Sequence, residues 1–306
     1  MLWFILSLLI SGGSPLLFGQ KRTDSLPALQ DTASFLMVKF KEGSAYYGKL
    51  KENRNDTLVL IIQDLGAVKI PYSKILKAER LEYMTIRNGK YWFPTPLPGR
   101  YFFSPSAFSL KPGEGYYQNT LLMLNSFNVG VTKWLSLGGG FEIITTIGSI
   151  TAGYFKPTFF LTPKIGCKIA KNLRLGAGVI YIQLAGDEFQ LGTVYGVVTY
   201  GNTDNNISGG VGWGYSKTRK SDLEFQHNPM ITLCATARLA RKTAVVTENW
   251  FIPYTSNGSL AYGAIYSYGL RFFGETLSVD LAFINNKDIF KVLFIGIPFV
   301  SFAVKF

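Results

Sequence analysis

The chain is poor in groups that do covalent chemistry. Its 306 residues include one histidine, His227, and two cysteines, Cys167 and Cys234. Metal sites need such residues in clusters. The two cysteines stand alone in separate predicted strands, so neither a metal site nor a disulfide is expected. No cofactor motif is present either: Gly138-Gly-Gly140 is not followed by the Lys-Ser/Thr of a phosphate loop. Charge is scarce as well. Charged residues make up 16%, against about 25% in soluble proteins. Acidic residues are the rarer sign, 19 against 31 basic, for a net charge of +12. The excess is scattered rather than gathered on a helix or in a run, so nucleic acid is not an expected partner. Also missing is a long apolar run beyond the N-terminus. The oiliest stretch, 134–155, holds Glu142 and five glycines, whereas a spanning helix needs about 18 or more apolar residues.

What the chain does have is oil. Hydrophobic residues reach 47% and aromatics 15%, with 24 Phe and 17 Tyr. An oily chain without helical spans fits a transmembrane β-barrel. In lipid only helices and closed barrels satisfy every backbone group.

The last fifteen residues carry this reading furthest. Val300, Phe302, Val304 and Phe306 share one parity; Ser301, Ala303 and Lys305 share the other. Alternate side chains of a strand face opposite ways, giving one oily face and one small or polar face. A chain that stops on such a strand resembles the insertion signal of bacterial outer-membrane barrels. That likeness implies outer-membrane lipid and, through Phe306, the barrel-assembly machinery as partners.

The same alternation recurs in 155–169, 207–215, 260–272 and 277–283. Soluble sandwiches alternate too, but these runs suit the roughly 9–11 residues of a tilted membrane strand. Short predicted turns near 132–133, 170–172, 202–205, 240–242 and 274–275 alternate with mostly longer connections near 146–153, 185–189, 216–225, 253–258 and 285–291. This is the pattern of periplasmic turns and extracellular loops. Counting back from Phe306 gives eleven strands. The Arg100 region supplies a twelfth as the first strand, with 105–116 as the first outer loop. The expected fold is all-β: a transmembrane antiparallel barrel of about 12 strands, preceded by a small β-roll or SH3-like domain.

The expected division is a signal peptide at 1–19, a small periplasmic β-domain at 33–86, a Pro- and aromatic-rich linker at 87–99, and the barrel at 100–306. Short strands separated by Gly43, Asp64-Leu-Gly and similar turns make the first domain similar to SH3-like or Sm-like folds. An Sm-like likeness implies RNA, which an exported domain does not meet. Arg100-Tyr-Phe-Phe-Ser-Pro-Ser-Ala-Phe, Gly113-Glu-Gly-Tyr-Tyr-Gln-Asn and Gly138-Gly-Gly-Phe-Glu resemble uncharacterised Bacteroidetes outer-membrane barrels. The likeness implies location and fold, and no activity.

The polar parity nominates lumen-lining residues: Glu142, Lys156, Lys164, Lys168, Arg174, Arg238, Arg271, Asp280 and Lys305. Glu248 is ambiguous because Val246 and Trp250 share its parity. Arg238 and Glu248 flank one short turn and form a candidate pair. A lumen rich in Lys and Arg favours small anions if open; if the charges pair across it, they plug it. Trp134, Trp213, Trp250 and Tyr266 read as interface aromatics. The expected role is a small-solute pore or a structural or binding barrel, not an enzyme. The alternative is a lipid- or peptide-modifying enzyme built on His227 in Glu224-Phe-Gln-His-Asn, which needs partners from other strands.

Overall fold

The computed structural model describes residues 35–54, 56–62, 65–80, 85–87, 90–186, 189–256 and 258–306. The expected signal peptide lies outside them. The chain divides into two compact units, residues 1–93 and 94–306.

The first unit is a five-stranded antiparallel sheet. It comprises β1 (Phe35–Phe40), β2 (Ala45–Arg54), β3 (Thr57–Ile62), β4 (Gly66–Pro71) and β5 (Ile75–Arg80), in the order β4-β3-β2-β1-β5. A 3₁₀ turn at Tyr72–Lys74 leads into β5. Leu36, Val38 and Phe40 alternate along β1 and pack with Leu50, Leu58, Leu60, Ile70 and Ile75. Gly48 lies inside β2, where a Cβ would come within 2.8 Å of the Ile61 carbonyl oxygen. The sheet fits the small β-domain expected there. A hairpin of β6 (Thr85–Arg87) and β7 (Lys90–Trp92) follows.

The second unit is a closed antiparallel barrel. Its strands are β8 (Gly115–Thr120), β9 (Leu124–Gly130), β10 (Leu135–Glu142), β11 (Phe159–Leu161), β12 (Lys164–Ala170), β13 (Leu173–Gln183), β14 (Phe189–Gly201), β15 (Asn205–Thr218), β16 (Glu224–Phe225), β17 (Met230–Ala240), β18 (Thr243–Ser256), β19 (Ser259–Phe273), β20 (Leu277–Asn285) and β21 (Ile297–Lys305). β11 and β12 both pair with β10 and β13, so they share one wall position. The break falls at Thr162 and Pro163, and proline cannot donate to a ladder. β16 only extends the edge of β15. Twelve wall positions result. β21 closes onto β8, from Ser301 opposite Thr120 to Lys305 opposite Tyr116.

The expected first strand is corrected. Arg100–Phe103 is no part of the wall, and 105–116 is no outer loop; the wall begins at Gly115. The strand after Ile252 is also longer than read, since β18 continues through Pro253 to Ser256. The connection near 146–153 holds a helix, α1 (Ile143–Thr151), and a short α2 (Ile289–Val292) sits in the 286–296 connection.

The connections at one rim, here the turn end, are all short, whereas those at the loop end range from two or three residues, after β18 and β8, to the long segments after β10 and β20. Ser278, Asp280, Ser301 and Ala303 face the lumen and are buried, while Tyr268, Leu270, Phe272 and Val304 are exposed on the outside. The wall is uneven: β8 has six residues and β19 fifteen. Above the short side, Leu122, Ile144, Ile147, Ile150, Val292 and Phe294 are exposed.

At the seam, Gly115 and Phe306 exchange backbone hydrogen bonds of 3.0 and 2.9 Å. Lys305 Nζ donates to Glu114 Oε1 at 3.1 Å. Burial opposes ionisation of Glu114, but the Lys111 amide and the Lys305 ammonium outweigh it and hold the carboxyl below its usual 4.5. A depressed carboxyl stabilises the fold above its unfolded value and loses that stabilisation as pH falls through the folded one. Glu114→Gln should therefore cost up to about 1 kcal/mol at pH 7. In urea titrations that difference should shrink below pH 4.5; a difference that grows in acid would refute the account.

Candidate functional site: a gripped lumen and its chamber

The lumen is occupied by the chain itself. Residues 94–110 enter from the turn end, where the Thr95 hydroxyl donates to Asp204 Oδ1 at 2.8 Å in the β14–β15 turn. The segment climbs to a tight tip at 101–104, closed by Tyr101 N–H to the Ser104 carbonyl at 2.9 Å, and returns beside itself through Ser106 N–H to the Gly99 carbonyl at 3.1 Å. Prolines 94, 96, 98 and 105 bar it from a sheet interior. The result is an internal finger.

Wall side chains grip the finger along its length. Asp280, 0% exposed, takes Arg100 Nη1 at 2.9 Å and Arg271 Nε at 2.6 Å. Arg271 also donates to the Arg100 and Tyr101 carbonyls at 3.1 and 2.7 Å. Glu248 Oε2 accepts the amides of Phe102, Phe103 and Ser104 at 2.8, 3.0 and 3.0 Å, a carboxylate held in a backbone nest. Its Oε1 accepts Trp250 Nε1 at 2.7 Å. Lys164 Nζ donates to the carbonyls of Gly99, Ser106 and Phe108 at 3.2, 3.0 and 2.8 Å. The Tyr101 hydroxyl lies 2.6 Å from both Asn206 and Ser208, and Thr199 Oγ1 accepts the Ala107 amide at 2.8 Å. Phe102 packs with Cys234, Val246, Ala282 and Phe299.

Of the nominated lumen residues, Lys164, Arg271 and Asp280 meet around the finger. Arg174 stacks on Phe108 at 4.1 Å. Lys168 is on the same parity as Lys164, near the turn end and exposed. Glu142 stands at the loop end, where its carboxylate caps α1 by accepting the Ile144 and Thr145 amides at 2.7 and 2.6 Å. Three readings are corrected. Lys156 lies in the connection after α1, not on a strand, and is exposed. Arg238 pairs with Asp204 at 2.9 Å rather than with Glu248. Trp250 bonds a buried carboxylate, whereas Trp134, Trp213 and Tyr266 are exposed on the outside.

Sequence reasoning missed Arg100, Thr199, Asn206 and the inward role of Glu248. One signal was available: a segment with four prolines and several aromatics is too apolar for a solvated linker. His227 is exposed in the connection between β16 and β17 and bonds no other described residue. Cys167 is exposed on β12 and Cys234 buried on β17.

Beside the finger a chamber of about 510 Å³ runs along the lumen to the loop end. Finger residues from Leu97 to Leu110, with Arg100, Phe102 and Phe103 at the tip, form one side of it. Gln118, Asn128, Thr162, Ile182 and Tyr195 are among its walls, and Glu142 stands at its rim. Among the described residues no group of three or more His, Cys, Asp or Glu could hold a metal ion.

A closed antiparallel wall with an apolar exterior and a polar, gripped interior is the fold of an outer-membrane β-barrel. No family model matches the chain, and no curated protein does. Among the solved structures that are similar in outline are two forms of one protein. One is in-vitro folded OmpT, an outer membrane protein of Vibrio cholerae in its trimer form. It is 10% identical, covering 89% of this chain and 95% of that one, with a TM-score of 0.33. The other is OmpT lacking loop L8, also 10% identical, covering 90% and 97%, with a TM-score of 0.34. No residue role is carried over from either.

Proposed function

We propose that this protein is an outer-membrane binding barrel, stoppered from the periplasmic side and open outward to a small solute. The observation that carries the reading is the finger, held in the lumen beside a 510 Å³ chamber by contacts from opposite sides of the wall. Residue 94 enters at the turn end, which in barrels of this kind faces the periplasm. The small β-domain before it therefore belongs on that side. The pore reading draws on the cationic lumen, but it requires the finger to leave.

The test is single-channel recording of the full chain in a planar bilayer. The intact protein should be silent. Removing residues 96–109 should give steady current, because the segment that fills the lumen is gone while the wall pair of Arg271 and Asp280 remains. Steady ohmic conductance from the intact chain would overturn the stopper.

A further inference from the structure

The chamber offers a ligand no usable charge. Of the described residues, three charged ones border it. Lys164 is spent on three finger carbonyls. Arg100 has Nη1 on Asp280 and on the Tyr101 carbonyl, and its Nε and Nη2 are closed off by packing. Glu142 stands at the rim with both carboxylate oxygens on the amides of α1. An anion that passed Glu142 would meet no free cation, and a cation no free carboxylate. Burying an unpaired charge is costly, so the chamber selects against both.

What it does present is a row of neutral polar groups. Tyr116 on β8 stands opposite Asn128 on β9, and Asn128 opposite Gly138 on β10. Thr162 comes next, its amide donating to the Gly138 carbonyl at 2.8 Å. Glycine at 138 lets the row converge, because a Cβ there would collide with both Asn128 Oδ1 and Thr162 Oγ1. A Cβ on Gly178 would meet the Tyr195 hydroxyl at 2.5 Å and the Pro163 carbonyl oxygen at 2.7 Å, so that hydroxyl lies at the level of the row. The hydroxyls of Tyr116, Thr162 and Tyr195 and the Asn128 amide bond no described residue, and packing seals none of them. One step nearer the loop end, Phe160 pairs with Gly140 and with Ile182, and both side chains give the chamber apolar surface. Its volume lies within the range of small-molecule sites, about 300–1,000 Å³.

We propose that the chamber binds an uncharged, hydroxylated molecule with an apolar substituent, its hydroxyls on the row of Tyr116, Asn128, Thr162 and Tyr195 and its apolar part against Phe160 and Ile182. This names the ligand class of the binding barrel and rests on that reading. A bare polyol satisfies the row but leaves the apolar surface uncovered, and an acid brings a charge that nothing there pairs.

The test is titration calorimetry on the full chain in lipid nanodiscs, with empty discs as blank. The probes are phenyl and hexyl β-glucoside, phenyl β-glucuronide and glucose. Phenyl against hexyl tells an aryl from an alkyl substituent. The glucuronide differs from the phenyl glucoside by a carboxylate, and glucose lacks the substituent. At least one glucoside should bind one to one. Glucose should bind at least about tenfold more weakly, for want of apolar burial, and the glucuronide at least about tenfold more weakly than the phenyl glucoside, for its unpaired charge. Thr162→Val keeps the shape of the wall and removes one hydroxyl of the row, so it should weaken the bound glucoside about three- to tenfold. Ile182→Trp leaves the row in place and fills the chamber, so it should abolish binding. Glucuronide or glucose binding as tight as the glucosides, unchanged affinity in Thr162→Val, or no glucoside binding by a barrel that is electrically silent would each overturn the ligand class. Only conductance of the intact chain overturns the reading beneath it.

Discussion

Asp280→Ala is expected to destabilise the barrel by about 3–5 kcal/mol, the usual cost of removing one partner from a buried ion pair. Here the removed partner serves two cations. Asp280 is 0% exposed and holds Arg100 at 2.9 Å and Arg271 at 2.6 Å, so its loss leaves two buried guanidiniums facing each other. It also unties the finger from β20. The converse change is milder. Arg100→Ala leaves Asp280 bonded to Arg271 Nε and Nη2 at 2.6 and 3.2 Å, and should cost under half as much. Urea unfolding in detergent, followed by tryptophan fluorescence, measures both. A loss for Asp280→Ala below about 1 kcal/mol, or a larger loss for Arg100→Ala, would contradict this account of the cluster.

Glu248→Ala should release the finger tip. One carboxylate oxygen accepts three consecutive amides, and the other accepts the Trp250 indole. Each buried donor left unpaired costs about 1–3 kcal/mol, though water entering the chamber recovers part of that. A net loss near 3 kcal/mol at the tip corresponds to about a hundredfold rise in opening. Hydrogen exchange of the Phe102, Phe103 and Ser104 amides should therefore accelerate about a hundredfold, while β18 and β19 amides change little. Glu248→Gln keeps an acceptor but brings an NH₂ against the same donors, so it should fall between. Unchanged exchange at the tip would mean that the nest does not hold the finger. Uniform acceleration across the barrel would mean that Glu248 supports the wall instead.

The wall was legible and its contents were not, for one physical reason. Lipid imposes period two on every strand, so runs such as 260–272 and 300–306 announce their outer face. The inner face was read on the assumption that it meets water. Around Glu248 it meets the finger, and Val246 at 0% exposure packs on Phe102 and Phe299. An apolar residue on the inner parity then made Glu248 look ambiguous. The Arg100 region failed the same way: Arg-Tyr-Phe-Phe scans as a short strand, and only its prolines object. The partners that define it, at 164, 248, 271 and 280, lie far along the chain, and no local pattern brings them together. The α1 segment was missed because Ile143-Ile-Thr-Thr-Ile is β-branched, and Glu142 was read as a lumen charge rather than as a cap.

The uneven wall bears on the bilayer itself. Six residues at about 3.3 Å each, tilted by about 40°, give β8 a height near 15 Å, against an apolar band of about 25 Å. The fifteen residues of β19 exceed that band. The exposed Leu122, Ile144, Ile147, Ile150, Val292 and Phe294 above the short side supply oily surface that the strand lacks. Even so, the membrane meets a low shoulder on one flank and a tall one on the other. Hydrophobic mismatch of this kind tips the molecule or thins the adjoining leaflet. Lipid packing should be loosest beside the β21–β8 seam, where six residues of ladder close the barrel.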